Sequence, residues 1–344
     1  MTRINANVSR RGLLLGAGAM AAAGLLAACG DDTEPTTASS PAKPKPTGPW
    51  SFTDDRGKTI SLPAYPQRLV CQTGPAAALW DYGIASVGLF GPQTRPDGGR
   101  ELETGSLDLA KLTAIGGAEW GDFNLEQYAA LTPDLLVTTV FDDQLWYVPE
   151  ESLDKIGKIA PIAALQVESK NLPDVLARFL DLAVSLGVDR ESELVKKAKG
   201  DFDKASEDLR GVLAAKPGLK VLAVSATKDE IYFAKPKDVT DLDYFGTLGM
   251  GLVQPGGPDD YWEVASWEKA DRYPADLIIY DARGYEALPL AEARKVPTFQ
   301  KLPAVQADQV AAWKHLVPPS YQQVTVALKE MAETISRSRT DIVA

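Results

Sequence analysis

Short, evenly apolar runs alternate along this chain with segments in which apolar residues recur every third and fourth position. Residues 69–72, 85–90, 134–140, 161–165, 219–224, 276–280 and 310–313 are of the first kind and predict buried strands. Residues 75–82, 125–131, 153–159, 191–215, 244–249, 267–273 and 321–338 are of the second kind and predict helices. A hairpin is expected over 52–60, turning at Asp55-Arg56-Gly57. Strands alternating with helices imply an α/β fold with a largely parallel sheet. The stretch 171–187 interrupts this alternation. Its stripe of Leu172, Val175, Leu176, Phe179, Leu180, Ala183 and Leu186 predicts one helix, capped by Asn171 and stopped by Gly187. The chain therefore divides into an N-terminal α/β lobe (50–170), an interlobe helix (171–188) and a C-terminal α/β lobe (189–344).

The two halves share a phrase. Leu131-Thr132-Pro133-Asp134-Leu135-Leu136-Val137 parallels Arg272-Tyr273-Pro274-Ala275-Asp276-Leu277-Ile278-Ile279. Each is a helix end, a Pro turn, an Asp and a buried strand. Two Rossmann-like lobes that face one another place a ligand cleft between their C-terminal strand ends.

The first 28 residues carry Arg3, Arg10 and Arg11, then a Gly/Ala/Leu run that ends in Leu26-Ala27-Ala28-Cys29. That pattern predicts a signal peptide. Ser9-Arg10-Arg11-Gly12-Leu13-Leu14 resembles a twin-arginine export signal. Leu-Ala-Ala-Cys resembles the bacterial lipobox, which makes Cys29 the lipidated first residue of the mature chain. Residues 29–49, rich in Pro, Thr and Ser, predict a disordered tether. The expected location is the outer face of the cell membrane, held by acyl chains.

Hydrophobic content of 45% is ample for sizeable cores. Removing a leader with three Arg and no acid takes the net charge from −11 to −14, which argues against nucleic acid as a partner. Cys71 is the only other cysteine and sits in a predicted strand, so it reads as a core residue without a disulfide. The single histidine, His315, excludes a multi-histidine metal site and is expected in a loop at a cleft edge. Asp142-Asp143 and Asp259-Asp260 lie among turn residues and read as solvated. No nucleophile elbow or metal-hydrolase signature occurs, so no enzyme activity, cofactor or bound metal is expected.

Trp120-Gly121-Asp122-Phe123-Asn124-Leu125-Glu126, followed by Pro133-Asp134 and a strand, has a counterpart in Trp262-Glu263-Val264-Ala265-Ser266-Trp267-Glu268, followed by the strand at Asp276. With this pair the chain resembles the substrate-binding lipoproteins of ABC importers for iron siderophores and cobalamin, the helix-linked periplasmic binding protein family 2. The resemblance covers roughly residues 50–340. It implies two lobes joined by one long rigid helix, which shift little on binding. It implies ligand contacts at Trp120 and Trp262, and permease docking through Glu126 and Glu268, each six residues further on. It also implies a monomer whose partner is a permease with its ATPase. Ferric-hydroxamate binders of the family carry an arginine where this chain has Trp120. Arg95 and Arg283, each following a predicted strand, are the candidates to replace it.

A ferric siderophore supplies its own oxygen ligands, so a binder needs apolar walls and a few donors. The aromatics expected in cleft loops are Trp120, Phe123, Trp146, Tyr147, Tyr232, Phe233, Tyr261, Trp262, Tyr280, Tyr285 and Trp313, while Trp80 and Trp267 read as packing. The expected ligand is a ferric siderophore of hydroxamate type, with cobalamin or haem as the alternative on the same scaffold.

Overall fold

The structure, a computed structural model, describes residues 47–141, 144–168, 170–285 and 287–343. The leader, Cys29, most of the expected tether and the Asp142-Asp143 pair lie outside the described residues.

The N-terminal lobe holds a hairpin of β1 (Trp50–Thr53) and β2 (Thr59–Leu62), then β3 (Leu69–Gln72), β4 (Gly88–Phe90), β5 (Thr113–Ala114), β6 (Leu135–Phe141), β7 (Gln144–Leu145) and β8 (Ile162–Gln166). The order β5-β4-β3-β6-β8 is parallel throughout, with β7 folded back antiparallel on the end of β6. The C-terminal lobe holds β9 (Val221–Ala226), β10 (Glu230–Ala234), β11 (Trp262–Ser266), β12 (Leu277–Asp281) and β13 (Val310–Trp313) in the order β11-β10-β9-β12-β13. β9, β12 and β13 pair in parallel, while β10 runs against both of its neighbours, β9 and β11. This second sheet is therefore mixed, not largely parallel as the alternation implied. The helices that cover the sheets are α1 (Thr73–Asp81), α2 (Leu125–Ala130), α3 (Leu153–Ile159), α4 (Leu172–Ser185), α5 (Glu193–Ala214), α6 (Thr240–Thr247), one-turn α7 to α9 (Leu290–Ala293, Pro297–Gln300, Pro303–Gln306) and α10 (Tyr321–Arg337). Residues Trp267–Arg272 form a 3₁₀ helix where an α-helix was expected.

Side-chain alternation explains the uniformly apolar strands. Leu69 and Cys71, Leu135 and Val137, Val221 and Ala223, and Leu277 and Ile279 point into one shared core. Val70 and Leu136 point into an outer core of the N-terminal lobe, and Leu222, Val224, Ile278 and Tyr280 into an outer core of the C-terminal lobe. Both faces of each central strand are covered, so apolar residues fill most positions on both. The shared core contains the apolar stripe of α4, from Leu172 to Ala183. Pro173 opens α4, Asn171 makes no side-chain cap, and Gly187 leaves the helix at φ 103°. Its outer side is tied to the hairpin: Arg178 donates to Asp55 (2.8 Å) and to the Thr53 carbonyl (2.9 Å), and Trp50 Nε1 donates to the Ser185 carbonyl (3.0 Å).

The shared phrase now has a physical reason. Asp134 accepts from the backbone N–H groups of Gln67 and Arg68, the residues that lead into β3. Asp276 accepts from Lys220 N just ahead of β9, and from Ile342 N and Val343 N near the chain end. In each lobe one carboxylate locks the start of the central strand to its parallel neighbour and so fixes register at Leu69↔Leu135 and Val221↔Leu277. Asp276 is buried, and its loss strands three N–H donors. Asp276→Ala should cost at least about 2 kcal/mol, against a smaller loss for the more exposed Asp134→Ala; urea unfolding of both variants at one pH checks this ranking.

Candidate ligand-binding site

The parallel strands of both sheets end at a cleft. On the N-terminal side it receives Gln72 from β3, Thr139 and Phe141 from β6, and Trp146 after β7. On the C-terminal side it receives Arg283 after β12 and Trp313 and His315 from the end of β13. Tyr261 and Trp262, at the start of β11, line the same cleft. One cavity, of about 150 Å³, is lined by Phe141, Trp146, Glu168, Val239, Tyr261, Trp262, Arg283, His315 and Leu316. A second, of about 120 Å³, shares Phe141, Trp146, Glu168, His315 and Leu316. It extends along α4 and α10 past Leu172, Val175, Phe245, Trp313, Val324, Leu328 and Met331.

Aromatic rings build a wall across the cleft. Phe141 stacks on Tyr261 of the opposite lobe at 5.0 Å and 27°, and lies 4.7 Å from Trp146. Trp146 meets Trp120 edge-on at 5.0 Å, and Trp120, 52% exposed, forms the outer rim. On the other side Trp262 lies 6.0 Å from Trp313 and 6.2 Å from Tyr232. Tyr147, Tyr261 and Leu316 all hold positive φ (58°, 61° and 59°). Such backbone is costly away from glycine and persists where surrounding packing enforces it, as binding sites often do.

The charges of the cleft are few and tightly held. Asp281 is buried under Arg283, whose Nη2 stands 2.7 Å from Oδ2, and Ser225 donates to the same oxygen. Burial raises the Asp281 carboxyl, but Arg283 more than offsets this and holds it below the usual range. The Arg283 guanidinium also covers the Tyr285 ring at 5.7 Å. Burial pushes the Glu168 carboxyl up to about 7 against the pull of His315, and Asp241 adds to the rise. Burial depresses His315, yet Asp241 lifts it above the ordinary histidine range.

Hydrogen bonds cross between lobes beside the cavities. Arg95 Nη1 donates to the Ala282 carbonyl (3.0 Å), Gly284 N donates to Glu101 (3.1 Å), and Tyr285 Oη donates to Glu103 (2.7 Å). Glu103 in turn accepts from Gln72, which accepts from Thr139.

Trp146, Tyr261, Trp262 and Arg283 line the first cavity and Trp313 the second. Four other candidates belong elsewhere. Phe123 packs on Phe90 and Tyr128 in the outer core, because the turn before α2 folds it inward. Arg95 serves the interlobe bridge. Tyr147 is buried behind Trp120 and Trp146. Tyr232 stands on β10, not in a loop, with its hydroxyl on Glu230 (2.9 Å). Tyr280 is likewise a strand core residue. His315 is buried at the cleft floor, not at its edge. Glu126 and Glu268 are exposed in the first turns of α2 and of the 3₁₀ helix, and the Ser266 hydroxyl holds the Glu268 carboxyl low. Phe141, Glu168 and Asp241 were not singled out from sequence; Phe141 ends a buried strand, which is the one signal that marks it.

The chain matches the family described as "Periplasmic binding protein" over residues 94–316. It is 43% identical to DesE, a ferric-siderophore receptor protein from Streptomyces coelicolor, over 85% of this chain and 99% of that one, with a TM-score of 0.79. The petrobactin-binding protein YclQ from Bacillus subtilis has the same fold at 18% identity, with a TM-score of 0.66 over 84% of this chain and 99% of that one. A putative ABC transporter substrate-binding lipoprotein, YhfQ of Bacillus subtilis strain 168, is 28% identical over 186 residues. That match spans 53% of this chain and about half (52%) of the curated relative. Two α/β lobes, an aromatic cleft at their strand ends and a matched segment from 94 to 316 lead to one assignment: the chain belongs to the periplasmic binding protein family, whose members bind solutes and are not enzymes.

Proposed function

We propose that this protein captures a ferric siderophore outside the cell and delivers it to an ABC permease with its ATPase. The observation that carries the reading is the aromatic cleft with Arg283 on its wall. Rings offer broad, rigid surface to an organic chelate, and a guanidinium offers a fork of donors to iron-bound oxygens. The 43% identity to a ferric-siderophore receptor supports it. A hydroxamate complex suits the cleft better than a triscatecholate. Glu168, Asp241 and Asp281 stand close to Arg283 and His315, three acids to two cationic groups, so a highly anionic chelate gains little net attraction there. Lipidation at Cys29 would hold the protein near its permease as a monomer.

Titrating intrinsic tryptophan fluorescence with ferric trishydroxamates, ferric triscatecholates, cobalamin and haem tests the ligand class. The expected outcome is strong quenching by trishydroxamates, with Kd of about 1 μM or tighter. Trp262→Ala should weaken that binding about tenfold or more. Quenching by triscatecholates alone removes the hydroxamate assignment, and quenching by cobalamin or haem alone removes the siderophore.

Glu126 and Glu268 supply an exposed acid on each lobe, which arginines of a permease would read. Rim charges set encounter and orientation more than ligand affinity. The double variant Glu126→Arg, Glu268→Arg should lose cellular iron uptake yet keep its chelate affinity within about threefold. Normal uptake in that variant returns both residues to ordinary helix-start acids.

A further inference from the structure

Glu168 and His315 line both cavities and so form the partition between them. His315 is more than nine-tenths buried, and its Nδ1 makes no hydrogen bond. It stands 3.7 Å from Asp241 Oδ1, near enough for an ion pair but too far for a hydrogen bond, and that buried oxygen makes no hydrogen bond either. The other Asp241 oxygen accepts from Trp313 Nε1 (2.7 Å), and Glu168 Oε2 accepts from Thr240 N (3.1 Å). Buried polar atoms in folded proteins are nearly always hydrogen-bonded. Two that face one another beside open cavity mark a place where a further polar group belongs.

The chemistry of that group follows from the set around it. Two carboxylates face one imidazole, and the nearby Arg283 is engaged with Asp281. Acceptors outnumber donors. An anion would meet both carboxylates. Among the described residues no group of three His, Cys, Asp or Glu side chains is arranged to hold a metal ion. We propose that Glu168, Asp241 and His315 form a second ligand contact, apart from the aromatic wall and Arg283. It takes a hydrogen-bond donor on the chelate's organic frame, with a cationic donor favoured over a neutral one and an anionic group rejected. This inference rests on the siderophore reading and deepens it.

The same cluster makes binding depend on pH. Glu168 faces His315, Asp241 and Arg283; His315 faces Asp241, Arg283 and Glu168. The Glu168 carboxyl, raised to about 7, is largely protonated at pH 6 and largely ionised at pH 8. His315, also raised above the ordinary histidine range, gives up its proton later than a free imidazole would. Both changes add negative charge, so affinity for a cationic donor rises with pH. Stability of the empty protein moves the other way. A raised carboxylic acid and a raised imidazole both favour the fold when protonated, and the Glu168 contribution is lost as pH climbs from about 4.5 to about 7.

The test uses the mature protein and three ferric trishydroxamates built on one frame, with an arm ending in an ammonium, in its neutral N-acetyl derivative, or in its anionic N-succinyl derivative. At pH 8 the ammonium form should bind on the order of tenfold tighter than the succinyl form. The gap should narrow at pH 6 and fall to about twofold in Glu168→Gln, which keeps an acceptor for Thr240 N. A thermal melt monitors folding, and Asp241→Asn serves if Glu168→Gln is unfolded. Equal affinities for all three chelates in the wild type assign the gap to a water molecule and overturn the subsite alone. A charge preference that survives in both variants places selection elsewhere and also overturns it. If none of the three binds, the siderophore reading fails and the subsite falls with it.

Discussion

One apolar core runs beneath the cleft and belongs to both lobes. Leu69, Val137 and Leu165 enter it from one sheet, Val221, Ile279 and Trp313 from the other, and α4 lies between them with seven buried side chains. Burial of this kind is the main favourable term in folding, and it is lost if the surfaces separate. A hinge that swung the lobes apart would have to expose part of that core. Wide opening of the cleft is therefore opposed by the same contacts that hold the protein folded. Adjustment falls to loops and side chains at its mouth.

The rest of the site is built on that shared core. Phe141 can stack on Tyr261 across the gap because the strand ends that carry them are set by the core below. The Asp281–Arg283 pair is buried where an apolar pair would be cheaper to keep. Its retention makes sense for a guanidinium that must stand ready in one orientation. The strained backbones of Tyr147, Tyr261 and Leu316 belong to the same pattern. Local conformational cost is tolerated because the surrounding fold holds these residues at the cleft.

The sequence carried the central strands, the helices and the position of the cleft, because each is written in local periodicity. It also carried the Pro turn and Asp shared by the two halves, though not why the Asp is there; that depends on backbone donors from 56 to 67 residues away. The antiparallel pair β10 and β11 is not legible because β11 is the sheet's edge strand and half-exposed Tyr232 and exposed Val264 blur the alternation. Phe123 and Phe141 show the limit for the site. Both are aromatic and both flank a helix or strand end, yet one turns into a core and the other into the cleft. Glu168, Asp241 and His315 come from three distant stretches, and only the fold makes them neighbours. The spacing of Trp120 and Trp262 was legible, but nothing local indicates that Trp120 stands at the rim while Trp262 lines the cavity.

Gly284 has no unusual backbone angle, yet it cannot be replaced freely. A methyl group on its α-carbon would collide with the Glu101 carboxylate and with the Arg95 side chain, both from the opposite lobe. Its N–H donates to Glu101, and the Ala282 carbonyl just before it accepts from Arg95. The constraint on position 284 is thus set 183 residues away along the chain. Related chains should treat these three positions as one inherited unit. Where a larger residue stands at 284, the acid at 101 and the long cation at 95 must have shortened or withdrawn with it, and such a lineage would carry a differently seated pair of lobes.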